Sequence, residues 1–96
     1  AILAFSILRG VRLGFLPESY REYGIKAFNG ICEKHLHTEE GKLHLGGICL
    51  VAGLGPADKL ERDGTFEYYM SEPIVSDDAK GVGPFLLAYT ELRRLQ

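Results

Sequence analysis

The spacing of apolar and polar positions changes twice along this chain, and each change marks a boundary. From Ala1 to Leu13 the run is apolar almost all round, interrupted mainly by Ser6, Arg9 and Arg12. A short helix with so thin a polar face is normally buried among other helices. Gly14 ends it. Pro17 opens the next helix, at a position where its missing N–H costs nothing. Glu18 follows with the sign that the N-terminal end of the helix dipole favours. This second helix is predicted over Pro17 to Leu36, with Tyr20, Ala27, Phe28, Ile31, Cys32 and Leu36 recurring near a 3.6-residue period. Gly24 and Gly30 weaken it, and glycines there mark close packing against a neighbour. Two helices joined by Gly14-Phe15-Leu16 make an αα-hairpin.

The period then shortens. Thr38-Glu39-Glu40-Gly41 reads as a turn, Lys42-Leu43-His44-Leu45 alternates, and Ile48-Cys49-Leu50-Val51 is a short apolar run. These predict a small hairpin or two extended segments. From Ala52 to Gly83 periodicity fades and turn formers accumulate, so a long loop is expected, of the kind that usually serves a function. A last helix is predicted from Pro84 to Leu95, with Phe85, Ala88, Tyr89, Leu92 and Leu95 on one face. Arg93 and Arg94 suit its C-terminal dipole. The fold class is therefore mainly α.

Composition narrows the function classes. At 96 residues the chain is one domain at most, and 46% hydrophobic with 25% charged is an ordinary globular profile. A net charge of −2, with both signs interspersed, gives no footprint for nucleic acid. The longest apolar run, Ala1 to Leu8, falls far short of the ~20 residues that cross a bilayer. No basic residues precede it, so it does not read as a signal peptide. Its abrupt apolar start is expected of the C-terminal piece of a longer chain, cut inside a helix.

Several clusters carry candidate chemistry. Cys32, His35, His37, His44 and Cys49 lack the tight paired spacing of a structural zinc site, so packed cysteines and solvent-facing histidines are expected. One disulfide is permitted but not demanded. Gly-x-Gly-Pro occurs at Gly53-Leu54-Gly55-Pro56 and at Gly81-Val82-Gly83-Pro84. The second copy opens a helix whose amides would favour an anion; by spacing alone, tight turns are the simpler reading. Tyr68 and Tyr69, in an extended segment, would point to opposite faces. Asp77 and Asp78 would both face water.

The run 46-GGICLVAGLGPADKLERDGTFEYYMSEPIVSDDAKGVGPFLLAYTEL-92 resembles the end of the unsaturated glycuronyl and rhamnogalacturonyl hydrolases, glycoside hydrolase families 88 and 105. The resemblance rests on Gly53–Gly55, on Tyr68-Tyr69, on Asp77-Asp78-Ala79-Lys80-Gly81, and on Gly83-Pro84-Phe85-Leu86-Leu87-Ala88 with Glu91. Ala4-Phe5, Arg9-Gly10, Pro17, Tyr20 and Ala27 are similar to the preceding helical hairpin. The sequence departs at Asp77, where Asn is commoner. The resemblance implies the C-terminal part of an (α/α)6 barrel, residues 1–96 forming one partial domain with a small β-hairpin and a long loop before the last helix.

It also implies an activity. The complete enzyme would take oligosaccharides ending in a 4,5-unsaturated uronic acid and hydrate the double bond. An aspartic acid protonates the alkene, water adds at the adjacent carbon, and the hemiketal opens to release the sugar. No metal or organic cofactor is implied. That aspartate belongs to earlier helices, so no catalytic residue is expected here and the isolated chain should be inactive. Gly55, Tyr68, Tyr69, Asp78, Lys80 and Gly81 are the implied substrate-side residues, with Lys80 and helix-start amides on a carboxylate and a tyrosine against a sugar ring. Unpartnered helix faces lead us to expect self-association. The alternatives are a small self-contained binding module and a zinc-binding module.

Overall fold

The structure is a computed structural model that describes residues 1–51, 53, 55 and 62–95. Helix α1, Ile2–Arg12, buries Ala4, Leu8 and Val11, the i, i+4, i+7 stripe of a helix with one inward face. It ends where Gly14 turns left-handed at φ 83°. The amides of Phe15 and Leu16 then reach back to the Gly10 carbonyl, at 2.8 and 3.1 Å, satisfying an otherwise orphaned acceptor.

Pro17 does not open an α-helix directly. A 3-10 turn at Glu18–Tyr20 precedes α2, Arg21–His35. Gly24 lets α2 close on α1: a Cβ there would lie 2.8 Å from Leu8 Cγ. Gly30 meets nothing within 4 Å among the described residues, so only one of the two expected close approaches occurs among them.

Helix α4, Ala79–Arg93, completes the layer. Ala4, Phe28 and Ala88 form the core, with Phe5, Ala27, Cys32, Phe85 and Leu92 packed around them. Phe28 stacks on Phe85 at 5.0 Å between centroids. One ion pair crosses this layer. Arg12 donates to both carboxylate oxygens of Glu91, at 2.6 and 2.9 Å. Glu91 is 5% exposed.

The extended segments form, with partners other than those expected. Strand β1, Leu36–Glu39, pairs antiparallel with β2, Lys42–Leu45, in the register Leu36 to Leu45 and His37 to His44. The residues Thr38 and Glu39, read as turn, are strand. The turn is only Glu40 and Gly41, at φ 53° and 76°, the left-handed pair that matches strand twist in a two-residue hairpin. Strand β3, Ile48–Cys49, does not fold back on β2. It pairs with β4, Ile74–Val75, across the long loop.

That loop also holds helix α3, Phe66–Ser71. Thr65 caps it by accepting from Tyr68 N–H at 3.2 Å, while Asp63 holds Thr65 from behind at 2.7 and 3.0 Å. Tyr68 and Tyr69 are thus helical neighbours about 100° apart and not opposed residues of a strand.

Helix α4, Ala79–Arg93, starts well before Pro84. Asp78 caps it, accepting from Lys80 N–H at 2.9 Å. Pro84 falls in the second turn, where its lack of an N–H forfeits one bond to the Lys80 carbonyl. Asp77 and Asp78 are both engaged and not simply solvated: Asp77 bonds the β2 strand and Asp78 caps the helix. Among the described residues no helix is long and apolar enough to cross a membrane.

Candidate functional site

Where the β3–β4 pair meets the start of α4, Cys49, Val51, Gly53, Arg62 and Lys80 line an open hollow of about 540 Å³. Chain segments distant in sequence converge here. A hollow of similar size along α2, about 530 Å³, is lined by residues of that helix alone, so its side chains radiate and do not converge.

The hollow is cationic. Arg62 Nε lies 3.8 Å from Glu72 Oε1, and Glu72 is nearly buried. Glu72 also accepts a hydrogen bond from the Tyr68 hydroxyl. That bond to a carboxylate raises the Tyr68 pKa, with burial adding to it. Lys80 Nζ lies 2.8 Å from Asp78 Oδ1. The Lys80 ammonium and amide together hold the Asp78 carboxyl below its ordinary range. Both cations therefore have a carboxylate behind them, while no carboxyl group is among the described residues that line the hollow. The arrangement suits an incoming anion held by two fixed cations.

The six residues singled out from sequence divide by position. Lys80 lines the hollow. Asp78 holds Lys80 from the helix cap. Tyr68 and Gly55 brace the rim: the Tyr68 hydroxyl, whose one proton goes to Glu72, lies 3.1 Å from the Gly53 carbonyl oxygen, and Gly55 N–H donates to the Arg62 carbonyl at 3.1 Å. Gly81 makes room for Ile48, whose Cδ1 would stand 2.5 Å from an added Cβ. Tyr69 is exposed and does not line the hollow. Leu54 and Pro56 of the first Gly-x-Gly-Pro lie outside the described residues.

Sequence reasoning missed Arg62. Its only signal was a cation in the same long loop as Lys80, which pairing of β3 with β4 brings close. The cysteines and histidines weighed for a metal do not gather: among the described residues no group of three or more His, Cys, Asp or Glu could hold an ion. His44 and His37 stack at 5.6 Å, Cys32 packs against the core, and Cys49 lines the hollow. Both cysteines are free thiols. Burial pushes the Cys32 thiol pKa up.

The model of Glycosyl Hydrolase Family 88 matches residues 1–96. Protein Atu3128 of Agrobacterium fabrum is 46% identical over 96 residues, covering 95% of this chain and 41% of the relative. The 24.9 kDa protein in picA locus of Rhizobium radiobacter matches to the same extent, 46% identical and 41% covered. Among solved structures, a glycoside hydrolase from family 105 of C. acetobutylicum superposes with a TM-score of 0.85 at 50% identity, over 95% of this chain and 25% of that one. The chain thus spans less than half the length of the curated relatives it matches, and a quarter of that structure.

Proposed function

This chain belongs to glycosyl hydrolase family 88, and on that footing we propose that it forms one wall of a carbohydrate site in a larger helical barrel. The substrate proposed is an oligosaccharide ending in a 4,5-unsaturated uronic acid, including those left from rhamnogalacturonan. Its reaction is hydration of the double bond. The observation that carries this reading is the pairing of Arg62 and Lys80 on one hollow, with no carboxyl group lining it among the described residues. Two cations at a helix start suit the uronate carboxylate. The acid that protonates the alkene comes from the part of the barrel outside this chain, so the chain alone is inactive.

In a polypeptide that joins this segment to the rest of the barrel, Lys80→Ala and Arg62→Ala each raise KM about tenfold or more, with kcat changed far less, because the lost contact serves ground state and transition state alike. Loss of the ultraviolet absorbance of the conjugated alkene follows the reaction. Unchanged constants in both variants overturn the wall assignment. Turnover by the isolated 96-residue chain overturns its inactivity.

A further inference from the structure

A reciprocal set of bonds pins the approach to α4 onto the hairpin. Asp77 N–H donates to the Leu45 carbonyl at 2.8 Å. Leu45 N–H donates back to Asp77 Oδ1 at 2.9 Å, and the other carboxylate oxygen meets His44 Nδ1 at 2.6 Å. Asp77 does this at φ 64°, a left-handed conformation that Asp and Asn tolerate better than other residues with side chains. The next residue, Asp78, caps α4 and grips Lys80. The clamp therefore sits immediately before the group that sets Lys80 at the hollow.

Its bonds respond differently to protons. Those between Asp77 and the Leu45 backbone neither gain nor lose a proton while the carboxylate stays ionised, so they weaken only when the whole clamp opens. The bond from His44 changes directly, because an imidazolium donating to a carboxylate makes a bond roughly twice as strong as a neutral one. The charged and titratable groups around His44 come from three places. Asp77 lies on the approach to α4, the stacked His37 and Glu39 on β1, and Lys42 on its own strand. Asp77 and Glu39 favour the charged ring, whereas Lys42 and a protonated His37 oppose it. Asp77 bonds the ring at Nδ1 and is the largest influence on it, with the Glu39 backbone adding a smaller one in the same direction.

We propose that His44 and Asp77 form a proton-operated fastener, closed while the imidazole is charged and loosened once it is neutral, that positions the start of α4 and with it Lys80. The positioning role rests on the reading of Lys80 as a substrate-side group; the fastener itself does not. Asn at position 77 keeps the left-handed conformation and both bonds to the Leu45 backbone. With its oxygen on the Leu45 N–H, the Asn side chain turns an NH2 toward His44 and so removes both the charge and the acceptor that the imidazolium answers, which makes Asp77→Asn the discriminating variant.

The test is amide hydrogen exchange, read by NMR on the 96-residue chain and corrected for intrinsic rates. Protection of the Leu45 and Asp77 amides is compared between about pH 5.5 and about pH 8.5, on either side of the ordinary histidine range. In the wild type it falls on the alkaline side, about tenfold for each pH unit by which the clamp raises His44. The Lys80 amide follows. In Asp77→Asn and His44→Gln the dependence flattens while protection at high pH is kept.

Wild-type protection that is flat across the range overturns the fastener, and so does a wild-type fall that survives in Asp77→Asn. A Lys80 amide that stays protected while Leu45 and Asp77 open overturns the positioning role alone. Failure of Lys80→Ala to alter KM, with the exchange result intact, overturns the substrate-side reading and leaves the fastener standing.

Discussion

At the scale of single residues, two ion pairs do different jobs. Glu91 is buried, and its bidentate hydrogen bonds from Arg12 hold its carboxyl pKa below the ordinary glutamate range. A depressed carboxyl stabilises the fold above its unfolded pKa, and that contribution is lost as pH falls through the lower folded one. Glu91→Gln therefore flattens the acid limb of a stability–pH curve, measured by urea unfolding, and lowers stability near neutrality. His44 works in the opposite direction. Its hydrogen bond to Asp77 raises it above 6.5, while His44 in turn lowers Asp77 below 3.8. The pair's contribution is thus full between those two ordinary values. It is lost as pH rises through the folded pKa of His44 or falls through that of Asp77. Neither partnership was legible in the sequence, because each joins residues far apart in the chain that only tertiary packing brings together.

At the scale of elements, the glycines of α2 give a paired prediction. Gly24→Ala drives a Cβ to within 2.8 Å of Leu8, and overpacking of this kind costs about 1–3 kcal/mol. Gly30 faces open space, so Gly30→Ala stabilises the isolated chain by about 0.5–1 kcal/mol through helix propensity alone. The midpoints of urea unfolding should move in opposite directions; a loss of stability at Gly30 would show a contact that the fold does not contain. Phe28, buried and stacked between Phe85 and Tyr89, is the costlier site. Phe28→Ala loses about 3–5 kcal/mol, comparable to the whole stability of a small domain. Of the elements themselves, α1 and the body of α2 were readable from periodicity. Helix α3 was not: at six residues it is shorter than two turns, and its stability comes from the Asp63–Thr65 cap. The start of α4 was missed because Pro84 looked like a first-turn residue, while the cap that starts the helix lies upstream at Asp78.

At the scale of the molecule, the helices form a layer and not a closed core. The chain measures 49 × 38 × 17 Å, little thicker than one layer of helices, each about 10–12 Å across. Its surface of 6968 Å² exceeds by roughly 1,500 Å² that of a compact monomer of this mass. That excess is roughly twice the ~800 Å² that one partner contributes to a standard protein interface. Ile2, Leu3, Phe66, Met70 and Leu86 are all more than half exposed, as expected of a quarter of a barrel without its neighbours. The isolated chain is expected to self-associate in sedimentation experiments. Leu3→Glu with Leu86→Glu should shift it toward monomer. A wild-type chain that sediments as a monomer at all concentrations contradicts this.

The sequence by itself determined the mainly helical class, the αα-hairpin and the family resemblance. These depend on local periodicity, capping chemistry and residues close together in the chain. Only the tertiary structure decided that β3 pairs with β4 instead of β2, that Arg62 joins Lys80 at one hollow, and that Asp77 fastens the hairpin to α4. Each of these is a contact between distant segments, and local chemistry cannot specify it: the same alternating residues in β2 satisfy their amides equally well against either neighbour. The choice falls to the left-handed residues Glu40 and Gly41, which fold β2 back onto β1, and to the close fit of Ile48 on Gly81.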